Sequence, residues 1–239
     1  MKSKAELGKV VKTADGSLTI RNPDIDEEYH STAGAAFESE ELYLGRSGIA
    51  DFWKIAKDCR VLDVGLGLSY NALTTVTKWL ETDTSCDLKL YSLEINEALV
   101  EHLASGDGPW MEGWSKRWLE IAKTLEKQEN GTWCTTLSHS SGAELQWTVY
   151  VGDSSQMELE FKDLNFIWQD AFSPTKNPEL WSPQWFRSLG DRSKKECVLM
   201  TYSVARVVKD GLNDGGWDFE RIPAPGKKRH WLRASKSQG

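Results

Sequence analysis

Apolar residues in this chain fall into short unbroken runs divided by stretches with helical spacing, and the alternation sets the expected order of elements. Arg60 to Asp63, centred on Val61 and Leu62, reads as a strand running into two glycines, and "YNALTTVTKWL" behind them has a helical period. "DLKLYSLEI" alternates as a second strand, and "NEALVEHLA" reads as a helix with Asn96 as its cap. "GWSKRWLEIAKTLEKQENG" is expected to be one further helix, closed by Asn130 and Gly131. Next come two strands around a Ser-Ser-Gly turn in "TWCTTLSHSSGAELQWTVYVGD", then the apolar strand "LNFIWQD". "ECVLMTYS" is another strand, "VARVVKDGLNDGGW" a helix stopped by a glycine pair, and "WDFERI" with "RHWLRAS" a closing pair. The pattern predicts an α/β fold: a mostly parallel sheet, helices on both faces, and a C-terminal antiparallel hairpin. The expected unit is a single domain over residues 1–239, preceded by a polar N-terminal arm of about residues 1–50.

Composition narrows the partners. The formal charge is −7, yet the residues from Phe186 to Gly239 hold twelve Lys or Arg against six Asp or Glu, leaving the rest of the chain at −13. A basic end on an acidic body is a pattern for local contact with an anion. The four cysteines are scattered, without C-x-x-C spacing or a nearby His, so neither a metal site nor a disulfide framework is expected, and the thiols read as reduced and mostly buried. Nothing resembles a secretory leader or a membrane span, which predicts a cytoplasmic protein without a membrane partner. Trp110, Trp114 and Trp118 recur at helical spacing and read as packing, with a base-stacking surface as the alternative.

On such a sheet, ligands sit beyond the carboxyl ends of the strands, where strand order reverses. The residues ending the expected strands are Asp63 with Gly65 and Gly67, then Glu94, Asp153 and Asp170. The two glycines admit close approach of backbone to a ligand, and Glu94 is placed to accept ribose hydroxyls. A dinucleotide turn asks for G-x-G-x-x-G, but Tyr70 stands where the third glycine belongs. An adenosine with a methionine tail has no pyrophosphate, and Asp63 before the turn would repel phosphate while suiting the tail's ammonium. S-adenosyl-L-methionine is therefore the expected cofactor, with the Asp153 carboxylate toward the adenine amino group. In "IWQDAFSPTKNPELWS", an acid ending an apolar strand precedes small, aromatic and proline residues, an order suited to presenting acceptors and an aromatic wall to an amine. An alkylammonium has a pKa of about 10 and must lose a proton before it attacks, and Asp170 can bind it and help remove that proton.

These stretches together resemble the family of methyltransferases that complete the N-methylation of 5-aminomethyluridine at the tRNA wobble position, a Rossmann-like class I fold found fused to an oxidase in MnmC and alone in other bacteria. "TADGSLTIRNPDIDEEYHSTAGAAFESEELYL" is similar to the family's N-terminal segment, "VGLGLSYN" to its G-F-G-T-G-L-N-F turn, and "DAFSPTKNPELWS" to its D-G-F-A-P-x-K-N-P-x-M-W signature. "GLNDGGWDFERIPAPGKKRHWLRAS" is similar to its closing segment. Leu68 and Ser69 stand where the family has Thr and Gly, Asp63 where Glu is frequent, and Ala171 where Gly is usual. The resemblance implies that Gly65, Gly67, Glu94 and Asp153, with Asp63, Asn71 and Ser154, hold S-adenosyl-L-methionine. It implies that Tyr29 and Glu38 close that pocket, and that Asp170 and Phe172 face the aminomethyl group. The implied partner is the anticodon region of tRNA, with Lys176 and the basic cluster Lys227, Lys228 and Arg229 as candidate contacts. No metal is implied. Two other classes stay open on the residues alone: a nucleotide-binding oxidoreductase, and a tRNA-binding protein without catalysis.

Overall fold

The computed structural model describes residues 7–225 and 230–237. Its centre is a nine-stranded sheet in the order β11-β12-β10-β9-β4-β5-β8-β7-β6. The strands are β4 (Asp58–Val64), β5 (Asp87–Glu94), β6 (Glu126–Lys127), β7 (Trp133–Ser138), β8 (Glu144–Val151), β9 (Leu164–Gln169), β10 (Ser193–Thr201), β11 (Trp217–Pro223) and β12 (His230–Lys236). From β10 through β9, β4 and β5 to β8 every pairing is parallel, and antiparallel strands extend the sheet at both edges. The chain leaves β4 for β5 on one side and later returns to β9 on the other, so strand order reverses at β4 and β9.

The central strands are apolar on both faces because both are covered. Phe166 and Trp168 of β9 join one core cluster while Ile167 between them joins the other, and Val198, Leu199 and Met200 of β10 repeat that alternation. The first cluster takes in buried residues of α2 (Ile49–Ile55), α3 (Tyr70–Glu81), α4 (Glu97–Ser105) and α5 (Lys116–Ala122). The second takes in those of α6 (Pro183–Asp191) and α7 (Arg206–Asp214). Each such side chain brought out of water contributes about 1.5–3 kcal/mol, which fixes the strand register behind the site.

Two expectations are corrected. The helix expected through Gly131 ends at Ala122: Thr124 Oγ1 turns back to the Ile121 carbonyl at 2.7 Å, Leu125 is buried, and Glu126 and Lys127 pair antiparallel with β7. A free sheet edge outweighs the helical spacing. Trp110 and Trp114 accordingly lie before that helix, and the packing expected of them and of Trp118 is present: Trp110 is fully buried, and the Tyr70 ring meets Trp114 and Trp118 edge-on at 5.7 Å each.

The N-terminal segment is also more than an arm. It folds into a small antiparallel sheet of β1 (Lys9–Lys12), β2 (Leu18–Asn22) and β3 (Glu27–Glu28), then α1 (Ala35–Glu38), a π-wound segment Ser39–Gly45, and α2. These strands are two to five residues long, too short for the brief alternation Leu18-Thr19-Ile20 to announce a sheet. The Tyr70 hydroxyl joins the small sheet to α3, donating to the Leu18 carbonyl at 2.9 Å and accepting from the Leu18 N–H at 3.3 Å.

Candidate active site

The turn after β4 is shaped by what cannot fit in it. Gly65 has φ 86°, and a Cβ there would come within 2.9 Å of the Asp170 carbonyl oxygen. At Gly67, with φ 51°, a Cβ would press on the Tyr29 ring at 3.2 Å. The turn is tied to the end of β5, with Gly65 and Leu66 donating to the Leu93 carbonyl at 3.2 and 2.9 Å. Glu94 closes the arrangement: Oε2 accepts from the Gly67 N–H at 2.8 Å and Oε1 from the Asn96 N–H at 2.8 Å. Its backbone carbonyl accepts from the Gly152 N–H at 2.8 Å, which brings the end of β8 alongside. Burial raises the Glu94 carboxyl above its ordinary value, against the lowering effect of those backbone donors.

These strand ends enclose a cavity of about 250 Å³, walled among others by Tyr29, Gly65, Gly67, Glu94, Asp153, Ser154, Asp170, Phe172 and Lys176. The Asp153 carboxylate is held by Ser155, whose N–H and hydroxyl donate to Oδ1 at 2.9 and 2.7 Å. A second cavity of about 290 Å³ shares Tyr29, His30, Asp170, Ala171 and Phe172 with the first, and adds Glu27, Glu28, Glu38 and Tyr202 to its lining. The wall shared by the two is therefore Asp170 to Phe172 with Tyr29 and His30.

That wall is held from several directions. The Asp170 N–H donates to the Val64 carbonyl at 3.0 Å. The Tyr43 hydroxyl donates to Asp170 Oδ1 at 2.7 Å, and Asn71 Nδ2 donates to Oδ2 at 2.7 Å. The Tyr202 hydroxyl donates to the Ala171 carbonyl at 3.0 Å, and Trp181 Nε1 to the Phe172 carbonyl at 2.7 Å. Ser173 donates its N–H and hydroxyl to Glu27 at 3.0 and 2.6 Å, which pins β3 to the loop. The Phe172 ring rests on Tyr29 with centroids 4.9 Å apart. Burial, with Glu94 nearby, pushes the Tyr29 hydroxyl up to about 12, and burial pushes His30 down to about 4, so a neutral imidazole lines the wall at neutral pH.

The structure thus brings most of the expected residues to one place. Glu38 lies on the second cavity and not the first, and Asn71 reaches the site through Asp170. Asp63 is on neither wall: it is fully buried behind the turn, with Oδ2 accepting from Ser92 Oγ at 3.0 Å. Burial first, and then Asp170, push its carboxyl well above the ordinary range. Lys227, Lys228 and Arg229 lie outside the described residues. Sequence reasoning missed Tyr43, Tyr202 and Glu27. Tyr43 and Glu27 sit inside the N-terminal segment quoted for its resemblance, but nothing in their spacing announces a partner more than a hundred residues away.

Among the described residues no group of three His, Cys, Asp or Glu side chains could hold a metal, and no helix is long and apolar enough to cross a membrane. An open turn that excludes Cβ atoms, with carboxylates at the ends of the next two strands, suits an adenosine-bearing ligand without a pyrophosphate.

Comparison with known proteins agrees. A family model described as S-adenosyl-L-methionine-dependent methyltransferase matches residues 117–237. The chain is 29% identical over 236 residues to the tRNA 5-methylaminomethyl-2-thiouridine biosynthesis bifunctional protein MnmC of Azoarcus sp., covering 96% of this chain and 34% of that protein. The MnmC of Cupriavidus necator is 28% identical over 222 residues, covering 90% and 32%. The chain thus spans about a third of the length of the curated relatives it matches. Among solved structures, that of MNMC2 from Aquifex aeolicus superposes with a TM-score of 0.79 at 27% identity, covering 95% of this chain and 70% of that one.

Proposed function

The chain belongs to the family of S-adenosyl-L-methionine-dependent methyltransferases, and on that premise we propose that it methylates the primary amine of the 5-aminomethyl group on wobble uridine in tRNA, giving 5-methylaminomethyluridine. The observation that carries the proposal is the shared wall: Asp170 and Phe172 line both a cavity of about 250 Å³ and a neighbouring one rich in carboxylates. A cofactor that needs close backbone approach belongs against Gly65 and Gly67, and a cationic amine belongs beside Glu27, Glu28, Glu38 and Asp170. In this reading the chain acts as one methyltransferase domain, with its N-terminal segment roofing the second cavity.

S-adenosyl-L-methionine supplies a methyl group made electrophilic by its sulfonium. Glu94 and Asp153 would hold the adenosine through hydroxyl and amino hydrogens, with Ser154 beside them. Asp63, buried behind the turn with its carboxyl held toward the protonated form, would support the turn from Ser92 and not meet the cationic tail. Asp170 would receive the substrate ammonium, accept its hydrogen bonds and take up the proton that frees the nitrogen lone pair. Phe172 and Tyr29 would exclude water from the junction, which strengthens each charge interaction there. The dinucleotide alternative loses its ground with the family assignment. Docking of tRNA on an acidic body must be local, and exposed Lys176 at the mouth of the first cavity is the described candidate, with Lys227, Lys228 and Arg229 beyond the described residues.

Mass spectrometry of tRNA nucleosides from cells with and without the protein tests the reading. Loss of the protein should replace 5-methylaminomethyluridines by 5-aminomethyl precursors, and purified protein with S-adenosyl-L-methionine should restore them. An unchanged nucleoside profile together with no transfer in vitro would sink it.

A further inference from the structure

The methyltransferase reading explains Asp170 but not what aims it. Free rotation of a short carboxylate would spread its oxygens over both cavities, whereas methyl transfer needs the amine held along one line. Two neutral donors on the two oxygens remove that freedom: Tyr43 on Oδ1 and Asn71 on Oδ2, both at 2.7 Å. Asn71 is oriented in its turn, its Oδ1 accepting from Ser39 Oγ at 2.6 Å. Ser39 and Tyr43 both belong to the π-wound segment Ser39–Gly45. Such winding, with i→i+5 bonding, is rare and concentrates at functional sites. The Tyr43 ring is 1% exposed and lies 6.0 Å from Trp168 of β9, so the hydroxyl is carried by a side chain with little room to move. Burial, together with Asp170 and Glu38, raises the Tyr43 hydroxyl well above its ordinary value, so it remains a donor at any working pH.

We propose that Tyr43 is a positioning residue for the methyl-transfer reaction, and that the π-wound segment exists to bring its hydroxyl, and Ser39 through Asn71, onto the Asp170 carboxylate. The proposal deepens the function argued above and rests on it. Tyr43 acts through Asp170, which it holds from behind, and is not among the residues lining either cavity. A plain packing role would need the ring alone, so Tyr43→Phe separates the two: it keeps the ring and removes the donor.

Methyl transfer to tRNA is measured for wild type, Tyr43→Phe, Asp170→Ala and the double variant at saturating tRNA and cofactor. Hydrogen bonds to charged groups support an expected fall in kcat of about ten- to hundredfold for Tyr43→Phe, with the KM for S-adenosyl-L-methionine nearly unchanged. In the Asp170→Ala background the same change should cost nothing more. Equal proportional losses in both backgrounds would overturn the proposal. A second measurement needs no tRNA: calorimetric affinities of sinefungin, whose extra amine stands where the cofactor carries its transferable methyl, and of S-adenosyl-L-homocysteine, which has a bare thioether there. Tyr43→Phe should weaken sinefungin severalfold relative to S-adenosyl-L-homocysteine, and an unchanged ratio would overturn the proposal. A wild-type protein inactive on every tRNA would defeat the functional reading, while the affinity ratio would still decide the role of Tyr43.

Discussion

The two cavities meet at one wall and are made by different means. The first is shaped largely by backbone: two glycines where a Cβ would crowd the Asp170 carbonyl and the Tyr29 ring, strand ends tied to each other through main-chain hydrogen bonds, and one buried glutamate bridging them. The second is shaped by charge, with Glu27, Glu28, Glu38 and Asp170 around a space of similar volume. Backbone walls recognise the outline of a large ligand and tolerate little change in the turn. Carboxylate walls recognise a small cation and depend on where each oxygen points. The comparison breaks if damage to one cavity is felt equally in the other.

The largest effect is expected at the junction. Asp170→Ala should lower methyl transfer by about 10²- to 10⁴-fold, the usual contribution of a positioned proton acceptor, while S-adenosyl-L-methionine binding measured by calorimetry stays close to that of wild type. Near-normal turnover with saturating tRNA would remove Asp170 from the chemistry. The mirror experiment is Glu94→Ala, which takes an acceptor from Gly67 and Asn96 and, on the proposed reading, from the cofactor. Hydrogen bonds to a charged acceptor contribute about 1.5–3 kcal/mol each, so cofactor affinity should fall by about tenfold or more. Methyl transfer at saturating cofactor should recover much of its rate. A loss of kcat as deep as that of Asp170→Ala, with affinity unchanged, would mean that the two cavities are not separate functions.

The same contrast explains what could be read in advance. β9 and the second half of β10 announce themselves because their residues are apolar on both faces, β5 by its alternation, and Asp63, Glu94 and Asp170 follow from their places at the ends of β4, β5 and β9. Asn96 as a cap was equally legible, since its side chain accepts from the Ala98 N–H at 3.2 Å. The walls of the second cavity were harder. Glu27 lies in a two-residue strand, and Tyr43 lies in a π-wound turn that has no periodic pattern of its own. Their roles arise from tertiary contact with residues 127 and 146 positions away, which spacing along the chain does not encode. Asp63 was visible as a strand end, but its full burial depends on how the turn folds over it.

Asp63 sharpens the comparison, because it places a carboxyl behind the wall built of backbone. Its folded value is raised well above the ordinary one by burial first and by Asp170 second. A raised carboxyl favours the protonated fold, so its stabilising contribution is full below the unfolded value of about 4 and is lost as pH rises through the folded value. Asp63→Asn removes that dependence and keeps an acceptor for Ser92. Thermal unfolding followed from pH 4 upward should show wild type losing stability against the variant by about 1.4 kcal/mol for each pH unit over which Asp63 is charged only when unfolded. Parallel curves would mean that Asp63 ionises freely where it sits.

The smallest effect is expected in the turn itself, at a departure from the family pattern. Ser69 stands where the family has glycine, and it adopts φ 68°, the left-handed region that costs a residue with a Cβ about 1–2 kcal/mol. Its hydroxyl is buried and meets no hydrogen-bond partner among the described residues. Ser69→Gly relieves both penalties and gives back about 0.5–1 kcal/mol through the greater freedom of glycine in the unfolded chain. The net expectation is a gain of about 1 kcal/mol in unfolding free energy, measured by urea denaturation, with cofactor affinity within about twofold of wild type. The residue lies at the start of α3, two positions before Asn71, so the change also asks whether a strained turn is needed to aim that helix. A more stable protein with normal turnover would show that the strain is incidental to the first cavity. A more stable protein that has lost turnover but kept its cofactor would tie the turn to Asn71 and Asp170, and so to the second.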